Sequence, residues 1–296
     1  MRVLIASAAS LLLASSGAVP GAPWPDGGPS ASSDGIRLLG PPPPALPRRV
    51  VSLAPSMTDI VVALGRADRL VGVSKYDDAP EVKQVPRVGG FLDPSVEAVV
   101  ALRPDLVLWL TDGSAMPAVS KIAELGIPVL AIPVIGIDDV LHSCRAVGRA
   151  LGDAPAGERL ASSLETSIAR ARVRAASLPT RRVLFIVGRE PLVVAGPGSY
   201  PDQLLRIVGA RNVIGGAVAW PVFPVEKAAA LDPDVVIDAA VNEQGGGGDR
   251  ALSAIPAVRR GALRRLASDD ALRPGPRLER ALDTLLAAIH PEATRP

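Results

Sequence analysis

Two glutamates are the first residues whose spacing suggests paired work. Glu97 opens EAVVALRPDLV and Glu226 opens EKAAALDPDVV, with Glu, Leu, Pro and Asp matching at one fixed offset. Each stands near the start of a helix-forming run. An acid there complements the helix dipole by about 0.3–1 kcal/mol. The other reading is a pair of exposed carboxylates, one per copy, that take bidentate contacts from arginines of a partner. Spacing alone favours the dipole.

Aromatic rings are the second group. The 296 residues hold only three Trp, two Tyr and three Phe, so each ring needs a reason. Phe185 lies inside a buried strand, and Trp24 in a proline-rich stretch. Tyr76, Phe91, Trp109, Tyr200, Trp220 and Phe223 fall at strand ends or in loops. Rings at the carboxyl ends of strands, split over two lobes, suit a cleft that grips a large flat or apolar ligand. Packing under loops is the alternative. Placement favours the cleft for Trp220, Phe91 and Tyr76 and divides evenly for Trp109 and Phe223. Tyr200 could simply begin a helix. Ser56 is either a helix cap or, with the N–H groups of its helix, a site for a carbonyl or carboxylate.

Catalytic motifs are missing. None of Lys75, Lys83, Lys121 and Lys227 follows a glycine, as a Walker loop requires, and there is no HExxH or GxSxG. Gly196-Pro197-Gly198 lacks the third glycine of a dinucleotide fingerprint and reads as a turn. His142 reads as a helix residue and His290 as a helix end. Cys144 is the single cysteine, so neither a disulfide framework nor a Cys-rich metal site is built here. No metal site is expected. Lys plus Arg is 32 and Asp plus Glu is 30, which excludes a strongly basic nucleic-acid binder.

Alternating elements must position these residues. Arg48–Leu53 reads as a strand, and Ser56-Met57-Thr58-Asp59 as a capping box ahead of a helix over Ile60–Leu64. Leu70–Val73 is a strand, Pro94–Leu102 a helix, Leu106–Leu110 a strand, Ala115–Leu125 a helix and Ile127–Ala131 a strand. After Arg182–Val187 and Leu192–Ala195, both strands, a helix covers Pro201–Val208. Leu64-Gly65-Arg66-Ala67 recurs as Val208-Gly209-Ala210-Arg211, so the repeat is not confined to the glutamates. Ala154–Leu178, with Leu160, Leu164, Ile168 and Ala171 at helical spacing, reads as one helix of about 22 residues, roughly 33 Å long. The expected fold is α/β: two similar α/β lobes with mainly parallel sheets joined by a long backbone helix. A rigid rod between lobes implies limited closure on ligand binding.

The amino terminus reads as an export signal. Arg2 precedes an apolar run from Val3 to Leu13, too short to span a bilayer, and Ser16-Gly17-Ala18 offers small residues for cleavage. No cysteine stands there for acylation. Gly17 to Pro47 carries nine prolines and reads as a spacer without core. The expected layout is a signal peptide over 1–18, a spacer over 19–47, a first lobe over 48–153, a linking helix over 154–178 and a second lobe over 179–296. Gly245–Gly248 reads as a mobile loop. A periplasmic or secreted, monomeric product follows.

The order RVVSLAPSMTDIVVALG, LVGVSKYDDAP, VEAVVALRPDLVLW, AGPGSYPDQLLRIVGARNVI, AWPVFPVEKAAALDPDVVI and RPGPRLERALDTLLAAIHPE resembles the periplasmic binding proteins of iron-siderophore, haem and vitamin B12 ABC importers. The likeness runs from Arg48 to Glu292, with the cobalamin-binding branch nearest in texture. It implies two lobes on a backbone helix, a ligand cleft between them, no catalysis and no resident cofactor. It also implies that Tyr76, Phe91, Trp220 and Asp269 face the ligand, with Trp109 one position off a family ring. Phe91 stands where the cobalamin branch has tryptophan. The likeness further implies that Glu97 and Glu226 dock on arginines of an inner-membrane permease. The expected ligand is cobalamin or a similar corrinoid. A ferric siderophore or haem, which Tyr76 could ligate, is the alternative. A ligand-sensing module and an exported hydrolase using Ser56 or Asp59 are the remoter ones.

Overall fold

The computed structural model describes residues 35–111, 116–240 and 251–294. The expected signal peptide, Trp24, the spacer up to residue 34 and Gly245–Gly248 lie outside them. The chain divides into two compact units, with the division between Glu165 and Thr166.

The first unit is built on a five-stranded sheet. Its strands are β1 (Arg37–Leu39), β2 (Val50–Ser52), β3 (Leu70–Gly72), β4 (Leu106–Thr111) and β5 (Val129–Pro133), in the order β1-β5-β4-β2-β3. All neighbours are parallel except β1 on β5. The helices are α1 (Pro55–Ala63), α2 (Val96–Ala101), α3 (Met116–Glu124) and α4 (Ile137–Ala150). In β4 the first four residues are buried without alternation, as befits a central parallel strand covered on both faces. Val51, Leu53, Val107, Trp109 and Val129 share one face with Val99 of α2 and with Val119 and Ile122 of α3. On α1, Met57, Ile60 and Val61 are buried, and α1 packs on β2, β4 and α4.

Two expectations are corrected here. The segment before Arg48 is not all coreless spacer: Ile36 is 1% exposed, and Arg37–Leu39 pairs antiparallel along β5. A short apolar run closes an edge that would otherwise offer unpaired backbone groups. The second correction concerns α1, which begins at Pro55 with Ala54 as its N-cap and no side-chain cap. Proline is suited to the first helical position because its missing N–H would have been an orphan there anyway. Ser56 is therefore the second helical residue and not the cap.

Helix α5 (Ala154–Ala175) is 22 residues long and carries the chain across the division. Leu164, Ile168 and Ala171 are buried at the helical spacing read from the sequence, together with Ala161 and Ala175, whereas Leu160 is only half-buried.

The second unit repeats the plan. Its strands are β6 (Arg181–Arg189), β7 (Leu192–Val194), β8 (Ala210–Asn212), β9 (Val235–Asp238) and β10 (Leu263–Arg265). They are ordered β10-β9-β6-β7 with β8 also on β6, all parallel except β7. Leu184, Ile186, Val194, Ile214 and Val236 form a core with Ala228 of α7 (Val225–Ala230) and with Leu252 and Ile255. Helix α6 (Tyr200–Ile207) packs on the C-terminal helix Leu278–Ile289, whose Leu282, Leu285 and Leu286 are buried.

The internal repeat extends to a backbone clamp. In the first unit Arg49 donates from Nη2 to Leu102 O at 2.6 Å and from Nε to Arg103 O at 3.1 Å. Its own N–H donates to Asp105 Oδ1 at 2.9 Å. In the second unit Arg182 donates to Leu231 O at 2.6 Å and Asp232 O at 2.9 Å, and its N–H to Asp234 Oδ2 at 2.7 Å. The clamped residues Arg103 and Asp232 both lie in the left-handed region, at φ 44° and 40°. Such a conformation is strained for a side-chain-bearing residue, and the arginine and aspartate bonds around it hold the turn.

Candidate functional site

In the first unit the loops after the parallel strands carry the candidate residues. Beyond β3, Tyr76 is fixed by a short turn in which its N–H donates to the buried Ser74 Oγ at 3.2 Å. A second loop returns beside it: Lys75 N–H donates to Gly89 O at 2.7 Å, and Gly89 bridges Pro94. That loop brings Phe91 to Tyr76 in an edge-on pair, with ring centroids 6.3 Å apart. Gly90 lies against the Tyr76 ring. A Cβ there would stand 2.9 Å from Tyr76 Cε2 and 2.3 Å from Asp93 Oδ1, so a larger residue would have to displace these side chains. Lys75 Nζ lies 5.2 Å from the Tyr76 ring centre and 2.8 Å from Asp93 Oδ2. The hydrogen bond to Asp93 holds the Lys75 ammonium above its ordinary range. Tyr76 and Phe91 both remain partly exposed, and Ile135, two residues past β5, is 69% exposed.

Trp109 and Ser56 stand elsewhere. Trp109 is 0% exposed within the first core, and its Nε1 has no hydrogen-bond partner. Its side chain falls on the face of β4 covered by α2 and α3, so it is a core ring and not a ligand wall. Ser56 is buried in the first turn of α1, where Thr58 Oγ1 donates to Ser52 Oγ at 2.8 Å and Ser52 Oγ to Ala54 O at 3.1 Å. Those hydroxyls knit the helix start to β2.

In the second unit a strip runs antiparallel to β7. Gly196 N–H donates to Ala219 O, Val194 N–H to Pro221 O and Phe223 N–H to Leu192 O, with Val193 bridging Val222. Alternate residues of this strip face outward: Val218 is 61% exposed, Trp220 36% and Val222 65%. Phe223, on the other alternation, packs on the second core. A Cβ at Gly196 would stand 2.0 Å from Val218 O, so the strip can lie close only over glycine. Asp269 accepts from Arg273 Nη2 at 2.6 Å and keeps part of its carboxylate exposed. Tyr200 does begin α6. It is 2% exposed, and burial raises its phenol above the ordinary range, with the Asp270 charge adding to this.

The two glutamates keep their equivalence. Glu97 and Glu226 are each the second residue of a six-residue helix, and both are exposed. Ser95 caps α2 by accepting from Ala98 N–H at 3.2 Å, and its Oγ donates to Glu97 Oε2 at 3.2 Å.

Sequence reasoning passed over one cluster. Arg189, Asp238 and Arg265 are the last residues of β6, β9 and β10, three adjacent parallel strands. The Asp238 side chain is fully buried. It accepts from Arg189 Nη2 at 2.7 Å and Nε at 3.1 Å, and from Ala240 N–H at 3.2 Å. Charged residues closing the apolar runs FIVGR and VVID were the available signal. Among the described residues no group of three His, Cys, Asp or Glu side chains is arranged to hold a metal ion.

Comparison with known proteins agrees with this architecture. The chain is 30% identical over 200 residues to the vitamin B12-binding protein of Pectobacterium carotovorum subsp. carotovorum (strain PC1), covering 65% of this chain and 71% of that one. It is 28% identical over 260 residues to an uncharacterised ABC transporter substrate-binding lipoprotein of Bacillus subtilis (strain 168), covering 83% and 81%. Among solved structures, a periplasmic heme-binding protein from Pseudomonas aeruginosa superposes with a TM-score of 0.76 at 30% identity, covering 84% of this chain and 95% of that one. These relatives are binding proteins, not enzymes. The family model described as periplasmic binding protein matches residues 50–269, and the chain belongs to that family.

Proposed function

We propose that this protein is the exported solute receptor of an ABC importer and that it binds cobalamin or a corrinoid of similar bulk. The observation that carries this reading is the set of apolar faces left open beside the sheets. The Tyr76–Phe91 pair stands partly exposed beside Gly90 in the first unit, and Val218, Trp220 and Val222 line one side of a strip in the second. Large planar ligands are held by such rings. Asp269 accepts a hydrogen bond from a polar edge of the ligand, and residues 1–18 direct export. The ligand passes to a permease in the inner membrane, which Glu97 and Glu226 engage through its arginines.

A second reading rests on Tyr76. Its phenol, with the Lys75 ammonium beside the ring, could ligate iron, so haem or another ferric chelate would occupy the same place.

Tryptophan-fluorescence titration with cyanocobalamin, hemin and a ferric hydroxamate tests both. Saturable, absorbance-corrected quenching by cyanocobalamin at submicromolar concentration is expected, and Trp220→Ala should weaken it by about 1–3 kcal/mol. Saturation by an iron ligand alone would overturn the corrinoid and keep the receptor. Silence from all three would overturn the receptor.

A further inference from the structure

The apolar strip beyond β7 is also an open edge of the second sheet. On its inner side Ala219 O and Pro221 O accept from Gly196 and Val194 N–H, and Phe223 N–H donates to Leu192 O. Val193 and Val222 face each other as an antiparallel bridge. In an antiparallel ladder successive residues turn their N–H and C=O to opposite sides. Trp220 and Val222 therefore aim these groups away from β7. Neither residue bonds through them to another described residue. Sheet edges are commonly blunted by charged side chains or by a proline whose nitrogen faces out. This one has neither. No residue from Val213 to Val225 is charged, and Pro221 turns inward.

An open edge offers donors and acceptors in alternation, and a ligand can add to it as a further strand would. A carboxylate answers only the N–H groups and meets the carbonyls as acceptor against acceptor. A primary carboxamide carries two donors and an acceptor, so it answers both. The neutral, apolar surroundings sharpen the choice, because a polar group that loses its water there without a partner is costly. We infer that the outward backbone groups of Trp220 and Val222 bind a primary carboxamide on the rim of the ligand. This rests on the receptor reading above and narrows it. A corrinoid carries such carboxamides around its ring, whereas the polar rim of haem is carboxylate, and the edge selects the first.

The probes are cyanocobalamin and its monocarboxylic acids, each with one ring carboxamide hydrolysed, with hemin alongside. In fluorescence titrations of the purified protein, at least one acid should bind about tenfold more weakly than cyanocobalamin, because an edge carbonyl then faces an oxygen that cannot donate. Val222→Pro removes one outward N–H and leaves the inward bonds of the strip in place. It should weaken cyanocobalamin severalfold and leave that acid within twofold. Val222→Ala keeps the N–H and loses apolar contact, so it should weaken both alike and preserve their ratio. Far-UV circular dichroism is the folding control. The native comparison needs no variant and decides the matter even if Val222→Pro fails to fold. Equal affinity for cyanocobalamin and every acid would refute the carboxamide site and leave the receptor standing. So would equal losses of both in a folded Val222→Pro, or saturation by hemin alone. Silence from all probes would refute the receptor reading and this one with it.

Discussion

Trp109→Ala separates a core role from a ligand role. The indole is fully buried among Val51, Leu53, Val107 and Val129 of the sheet and the inward side chains of α2 and α3. An aromatic of this kind removes about 200 Å² from water, which at about 25 cal/mol per Å² is about 5 kcal/mol. Alanine keeps a small part of that, and the cavity left behind adds a further penalty. The Nε1 donor works the other way. It has no partner, so removing it recovers about 1–3 kcal/mol. The net expectation is a loss of about 3–5 kcal/mol for Trp109→Ala and less than about 2 kcal/mol for Trp109→Phe, which keeps a ring and loses the orphan donor. Urea unfolding followed by far-UV circular dichroism measures both without relying on the indole. Ligand affinity should be unchanged in Trp109→Phe and reduced in Trp220→Ala. A stability loss under about 1 kcal/mol for the alanine variant, or a larger affinity loss in Trp109→Phe than in Trp220→Ala, would refute the assignment.

Other consequences are equally concrete. Glu97→Lys combined with Glu226→Lys should abolish uptake in cells while the purified double variant keeps its ligand affinity; a parallel loss of affinity would sink the docking role. Burial pushes the Cys144 thiol up to about 12 from 9.0, so in the folded protein it should resist a disulfide reagent at pH 8 and react once urea is added. The same shift makes its contribution to stability complete below about pH 9 and progressively lost between pH 9 and 12, because the unfolded chain releases the proton first. Gly196→Ala should lower the melting temperature clearly, since the added methyl would meet Val218 O at 2.0 Å; an unchanged melting curve would mean the strip does not lie where it is described.

Long apolar runs and matched motifs were legible in the sequence because they depend on local pattern. β4, β5, β6 and the 22-residue α5 lie where apolar runs and helical spacing put them. The paired glutamates were found because the whole motif around them repeats. What failed needed the partner surface. Ile36–Leu39 is too short to announce a strand, and only the open edge of β5 makes it one. Trp109 is the fourth residue of an apolar strand, and which face it takes depends on where α2 and α3 lie. Ser56 looked like a cap, but Pro55 had already started the helix. Arg189, Asp238 and Arg265 are far apart in sequence, and sheet order alone makes them neighbours.

The edge strand β1 has a practical consequence for anyone immobilising this receptor. Arg37 lies beside Ala131 and Leu39 beside Val129, so the chain enters the sheet near the carboxyl end of β5 and leaves toward its amino end. Gly35 already lies against Pro133. Cargo attached upstream of it, whether affinity tag, fluorophore or surface linker, is delivered to the end of the first sheet that also bears the Tyr76 and Phe91 loops. Such cargo competes for access to them. Coupling chemistry is better directed to residues beyond the C-terminal helix, and kinetics measured on a chip should differ between the two attachment schemes.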